Sequence, residues 1–139
     1  MSTRLKEKEE KILQILNAIA EESAKGKPIV VEGKKDVETL RALGVTGAVL
    51  TVKTGGKSFL DAVSEIEKMG VPEVILFLDF DRRGKEGTRH LKQSLERAKI
   101  KPDTKFWREL SALVGKEIQC VESLTAYLDT LRAKVTAQR

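Results

Sequence analysis

The sequence predicts an α/β protein with an open, mainly parallel four-stranded sheet sandwiched between helices, plus an extra N-terminal helix. Three observations predict it. Short apolar runs alternate strictly with segments whose apolar residues recur at helical spacing, the grammar of βαβ units. One run, Val74-Ile75-Leu76-Phe77-Leu78, is unbroken, as expected of a strand covered on both faces. The first and third runs also end in charged, glycine-bearing turns, Glu32-Gly33-Lys34-Lys35-Asp36 and Asp79-Phe80-Asp81-Arg82-Arg83-Gly84.

Taken in order, residues 4–24 read as an amphipathic helix with Leu5, Ile12, Leu16 and Ile19 on one stripe, stopped by Gly26 and Pro28. Ile29-Val30-Val31 is the first strand, and Val37, Leu40 and Leu43 mark a helix ending at Gly44. Residues 48–52 form the second strand, and Leu60, Val63, Ile66 and Met69 the inward stripe of the next helix. The third strand, 74–78, precedes a helix over 88–98 with Leu91, Leu95 and Ala98 inward. Asp103 is expected to cap a helix that buries Phe106, Leu110, Leu113 and Val114. Residues 118–121 are the expected fourth strand, and 123–135 a last helix burying Leu124, Leu128 and Leu131. No repeat or linker interrupts the chain, so residues 1–139 are expected to form one domain: the N-terminal helix, a motif-bearing core over 28–98, and a C-terminal part over 103–135.

Composition narrows the chemistry. A single Cys120 and a single His90 exclude a disulfide framework and a Cys-rich zinc site, so any metal is expected to be hard and oxygen-bound. No apolar run approaches the roughly 20 residues needed to cross a bilayer, and the charged N-terminus lacks a secretory signal core. The expected setting is therefore cytoplasmic, with no membrane partner. Lys and Arg number 26 against 21 Asp and Glu, a net charge of +5 and a pI near 9.4, compatible with nucleic acid. Four Phe, one Trp and one Tyr supply a base-stacking platform poorly.

In an open parallel sheet, ligands bind outside the carboxyl ends of the strands, near a switch in strand order. Glu32 ends the first strand, and Asp79 and Asp81 end the third. If those strands are neighbours, the three carboxylates meet at one edge, where mutual repulsion favours a bound cation. Magnesium suits such a site, with manganese as a substitute, and Lys34, Arg82, Arg83 and Lys85 lie nearby for phosphates. Lys53-Thr54-Gly55-Gly56-Lys57 adds a glycine-rich turn able to cradle phosphate, without P-loop spacing. Each acid also has a plain structural reading: Glu32 favours a helix N-terminus, and Asp81 caps the helix that follows. His90 reads as a solvated surface residue, Cys120 as a small core residue of the fourth strand, and Trp107 as a packing residue.

The two motifs together resemble the Toprim domain, shared by topoisomerases, bacterial-type primases, some nucleases and the ribosomal-RNA maturases. Its hallmarks are a Glu after the first strand, matched by Glu32, and an Asp-x-Asp after the third, matched by Asp79 and Asp81. Gly33 and Gly84 fit the accompanying glycines, and the whole chain is similar to the small stand-alone Toprim proteins of bacteria and archaea. The resemblance implies a magnesium-dependent phosphotransfer domain with Glu32 as general acid or base and the two Asp on the metal. The expected partner is nucleic acid, RNA ahead of DNA by analogy with the maturases. A small nuclease or processing factor is the expected function; a metal- and nucleic-acid-binding module docked on a larger processing complex is the alternative. Tyr127 lies in an inward helical pattern, a poor place for a DNA-linking nucleophile.

Overall fold

The computed structural model describes residues 4–52 and 59–137. Its elements are α1 (Arg4–Ala24), β1 (Ile29–Val31), α2 (Lys34–Ala42), β2 (Val49–Thr51), α3 (Phe59–Met69), β3 (Glu73–Leu76), α4 (Arg82–Arg97), β4 (Lys101–Asp103), α5 (Lys105–Val114), a 3₁₀ turn at Val121–Ser123 and α6 (Leu124–Ala137). The four strands are all parallel, in the order β2-β1-β3-β4.

Strand periodicity sorts the side chains into two cores. Ile29, Val31, Ile75 and Phe77 face one side, where they meet Ile12, Leu16 and Ile19 of α1, Leu40 of α2, Phe106 and Leu110 of α5 and Leu128 of α6. Val30, Val74, Leu76 and Leu78 face the other, against Val63 and Ile66 of α3 and Leu91 and Leu95 of α4. Right-handed crossovers require this division. The step from β1 out to β2 carries α2 over one face. The steps β2 to β3 and β3 to β4 run the opposite way and carry α3 and α4 over the other. Every side chain of β1 is fully buried, so truncating one, such as Ile29→Ala, costs about 2–5 kcal/mol.

Several elements depart from the sequence reading. The fourth strand is Lys101-Pro102-Asp103, not 118–121. Its composition gives no strand signal; it pairs only with β3, at the sheet edge, where proline is tolerated. Asp103 thus ends a strand; its Oδ1 accepts the Lys105 N–H at 3.0 Å, and Thr104 takes the N-cap position. Cys120 lies half-buried in irregular chain and not in a strand. Helix α4 begins at Arg82, six residues before the expected start, so Arg82 to Lys85 form its first turn. On α3 the inward residues are Ala62, Val63 and Ile66, while Leu60 and Met69 are 71% and 41% exposed. Phe59, one position earlier, packs on that core instead. His90 is exposed and stacks on Phe59, with ring centroids 6.5 Å apart.

Candidate metal centre

Strand order reverses between β1 and β3, because the chain moves from β1 outward to β2 and then returns to β3. Beyond the carboxyl ends of these two strands sit Glu32 and the Asp79–Asp81 loop. The β1–β3 ladder extends past the strands through the Phe77 N–H, which donates to Val30 O at 2.8 Å. Two residues on, the Asp79 N–H donates to Glu32 Oε2 at 3.0 Å. The expected meeting of the first-strand acid with the third-strand pair is therefore a direct hydrogen bond. Glu32 is 7% exposed and Asp79 half-buried.

The two aspartates are held differently. Asp79 Oδ1 accepts the Val121 N–H at 2.9 Å, and the neighbouring Phe80 N–H donates to Gln119 O at 2.7 Å. The segment 119–121, expected as a strand, thus ties down the acid loop. Asp81 Oδ1 accepts the Gly84 N–H at 2.8 Å and is the N-cap of α4, as its structural reading anticipated. Trp107 donates its indole N–H to Leu78 O at 2.8 Å, fixing the residue before Asp79.

Gly84 is demanded by this geometry. A Cβ there would lie 2.0 Å from Asp79 O, so only glycine lets the first turn of α4 approach the acid loop. Gly33 faces open space; its contribution is its N–H, which donates to Asp36 Oδ2 at 3.0 Å at the start of α2.

Asp36, in the sequence only the last residue of the Glu-Gly-Lys-Lys-Asp run, belongs to the cluster. It is 6% exposed. Burial raises its pKa against the pull of the Gly33 N–H, and the charges of Glu122 and Glu32 add to the rise. A signal was present: four residues after Glu32, it lies on the first turn of the helix that begins at the acid. Asp79 is pushed up to about 7, first by burial, with the Val121 N–H opposing and Glu32 and Asp36 adding repulsion. Burial also raises the Cys120 thiol, with Asp79, Glu122, Asp81 and Asp36 contributing in turn. Charge from several elements converges here.

Among the described residues, no group of three or more His, Cys, Asp or Glu side chains stands at metal-holding geometry. Asp79 and Asp81 each turn an oxygen to a backbone N–H. The donor set nevertheless fits a hard divalent cation, with closely spaced carboxylates and two acids at this edge, Asp36 and Asp79, whose ionisation burial and repulsion oppose. Of the expected phosphate contacts, Lys34 is exposed at the start of α2, and Arg82, Arg83 and Lys85 are exposed on the first turn of α4. Lys53 and Lys57, with the Gly55-Gly56 turn, lie outside the described residues. Tyr127 is half-buried, and its hydroxyl donates to Glu117 on the α1–α6 side, away from the acids.

An acid pair and a partner Glu at the switch point of a parallel sheet define a protein of the Toprim class, and the Toprim domain family matches residues 26–104 of this chain. Within that class the chain belongs to the UPF0292 family. It is 37% identical over 121 residues to the UPF0292 protein of Methanocaldococcus jannaschii, covering 86% of this chain and 91% of that one. It is 35% identical to the UPF0292 protein of Methanosarcina acetivorans, covering 90% and 85%. A solved structure, a putative protein from Aquifex aeolicus, shares the fold with a TM-score of 0.66 at 24% identity, covering 79% of this chain and 94% of that one. The Toprim match points to a metal-dependent function connected with nucleic acid. It ends before α5, so the Gln119–Val121 segment that holds Asp79 lies beyond the matched span. Among the described residues, no helix is long and apolar enough to cross a membrane.

Proposed function

We propose that the protein is a magnesium-dependent nuclease or related phosphodiester-transfer factor acting on RNA or DNA, with RNA favoured by family analogy alone. The observation that carries the reading is the bond from the Asp79 N–H to Glu32 Oε2, which joins the acids of β1 and β3 at the switch point. Asp79 and Asp81, with Glu32 beside them, are the residues that would hold magnesium, or manganese in its place. When bound, the ion would supply polarisation of a phosphoryl oxygen and acidification of an attacking water. Glu32 is the general acid or base. Its buried carboxylate keeps the Asp79 backbone in place and holds or gives up a proton beside the phosphate. Lys34, Arg82, Arg83 and Lys85 orient the phosphate backbone, and Lys53 and Lys57 complete the set by sequence. The setting is the cytoplasm.

Incubating purified protein with magnesium and labelled hairpin RNA or DNA tests this reading. Cleavage that disappears in chelator and in Asp79→Asn/Asp81→Asn supports it. No cleavage of either substrate, or cleavage equal to wild type in the double variant, overturns it.

A second reading is favoured by one observation: both aspartates are engaged with backbone N–H groups in the folded chain. In that reading the domain binds metal and nucleic acid, or docks on a processing complex, without turnover. Metal-dependent nucleic-acid binding with no cleavage, together with a stable complex isolated from native lysate, supports it over the nuclease.

A further inference from the structure

Helix α4 leaves the acid loop carrying most of the molecule's excess charge. Its sixteen residues hold six Arg and Lys against two Glu, a net +4, where the whole chain has +5. The buried residues Gly84, Thr88, Leu91 and Leu95 face the sheet. Along one flank of the helix Arg82, Lys85, Arg89 and Lys92 follow one another at i, i+3, i+7 and i+10, all exposed. That spacing places them in one stripe. Arg82 pairs with Glu86 at 3.4 Å; Lys85, Arg89 and Lys92 form no ion pair among the described residues. At 1.5 Å per residue the stripe is about 15 Å long. A duplex strand presents a phosphate every 3.4 Å of axis or so, making that length about four phosphates. The stripe begins at Asp81, the cap of α4 and one of the candidate metal ligands.

The aromatic side chains decide which strand form fits. All six are described, and none is exposed. Phe77, Phe80 and Phe106 are core residues, Phe59 packs on the second core, Trp107 is bonded to Leu78 O, and Tyr127 to Glu117. A single strand is held by stacking its bases on exposed rings, and there are none here. A duplex offers phosphates without requiring base contacts.

We propose that the outer stripe of α4 is a track for the phosphate backbone of double-stranded nucleic acid, with Arg89 and Lys92 as its distal contacts, leading a strand to the acid loop. It rests on the proposed function for the role of the acids, but not for binding itself. Binding is independent of sequence, steeply salt-dependent and independent of metal.

Fluorescence anisotropy in chelator, with mixed-sequence RNA and DNA hairpins and a homopolymeric single strand, tests the track. Duplex binding stronger than single-strand binding is expected, with a log–log salt slope of about −3 to −4 from four phosphate contacts. Arg89→Gln/Lys92→Gln, on an exposed face, is expected to fold normally by circular dichroism, to weaken duplex binding about tenfold or more, and to reduce the slope by about 2. Comparing the RNA and DNA arms tells which backbone the track takes. An unchanged slope in that variant, equal or tighter binding of the single strand, no duplex binding by wild type, or binding to anionic vesicles in place of duplex each overturns the track. The two proposals fail separately. Cleavage lost with Asp79→Asn/Asp81→Asn while Arg89→Gln/Lys92→Gln binds normally overturns only the track. Duplex binding lost in Arg89→Gln/Lys92→Gln with no metal-dependent cleavage by wild type overturns only the nuclease.

Discussion

The two ends of the β1–β3 pair gather carboxylates in opposite ways. Where the strands begin, Glu22, Glu73 and Asp103 surround one ammonium, Lys27 Nζ, at 2.7, 3.2 and 3.7 Å. Burial works against that charge, yet Glu22 and Glu73 outweigh it and hold the Lys27 pKa above its ordinary value. Where the strands end, Asp36, Asp79 and Asp81 gather near Glu32, and none of the three aspartates forms an ion pair among the described residues. Their partners are backbone N–H groups, and Asp79 is pushed up to about 7. The first end is a finished ion network with its cation built into the chain. The second has, among the described residues, aspartates with no cation of the chain beside them, and it is there that the proposed metal would bind.

The largest effect expected from disturbing this contrast is on turnover. Glu32→Gln keeps an oxygen for the Asp79 N–H but cannot move a proton, and is expected to lower magnesium-dependent cleavage about 100-fold or more, even at saturating magnesium. A variant that cleaves normally would remove Glu32 from the acid/base role. Next comes Gly84→Val, whose Cβ cannot fit against Asp79 O, 2.0 Å away. Chemical denaturation should show a loss of about 3 kcal/mol or more, since backbone must shift. Lys27→Met tests the other end. It removes the cation that three acids share, leaving Glu22 only Lys25 at 3.3 Å, and is expected to cost about 2–4 kcal/mol, with no effect on metal binding. A stable Lys27→Met protein would break the distinction between the two ends.

The smallest effect is electrostatic. Because the folded pKa of Asp79 lies above the ordinary carboxylate range, this group favours the fold at acid pH. That contribution is lost as pH rises from about 4 through about 7. In chelator, Asp79→Asn should therefore gain stability over wild type at pH 8, on the order of 1–2 kcal/mol once solvent screening of a half-buried group is allowed for, and little at pH 4. Thermal melts of both proteins across that range measure the difference. A constant difference at every pH contradicts the assignment.

Much of this was legible in the chain. The unbroken run 74–78 and the β-branched run at 29–31 announced buried parallel strands, because burial on both faces removes alternation. Glu32, Asp79 and Asp81 were legible because strand ends at a switch point converge whatever the intervening residues are. The edge strand was not legible. Lys101-Pro102-Asp103 owes its conformation to pairing with β3, not to propensity. For the same reason the role of residues 119–121 was hidden: they act through backbone groups of Gln119 and Val121, which carry no side-chain signature. The early start of α4 was masked by Gly84, a weak helix former, and by two cations, Arg82 and Arg83, at the positive end of the helix dipole; the Asp81 cap offsets both.

The central claim is that the acids at the carboxyl ends of β1 and β3 bind a divalent cation from solution. Calorimetric titration of the purified protein with magnesium, and in parallel with manganese, tests it most directly. Saturable binding that is lost in Asp79→Asn/Asp81→Asn and retained in Lys27→Met is the predicted result. No saturable binding, or binding untouched by the loss of Asp79 and Asp81, would contradict it.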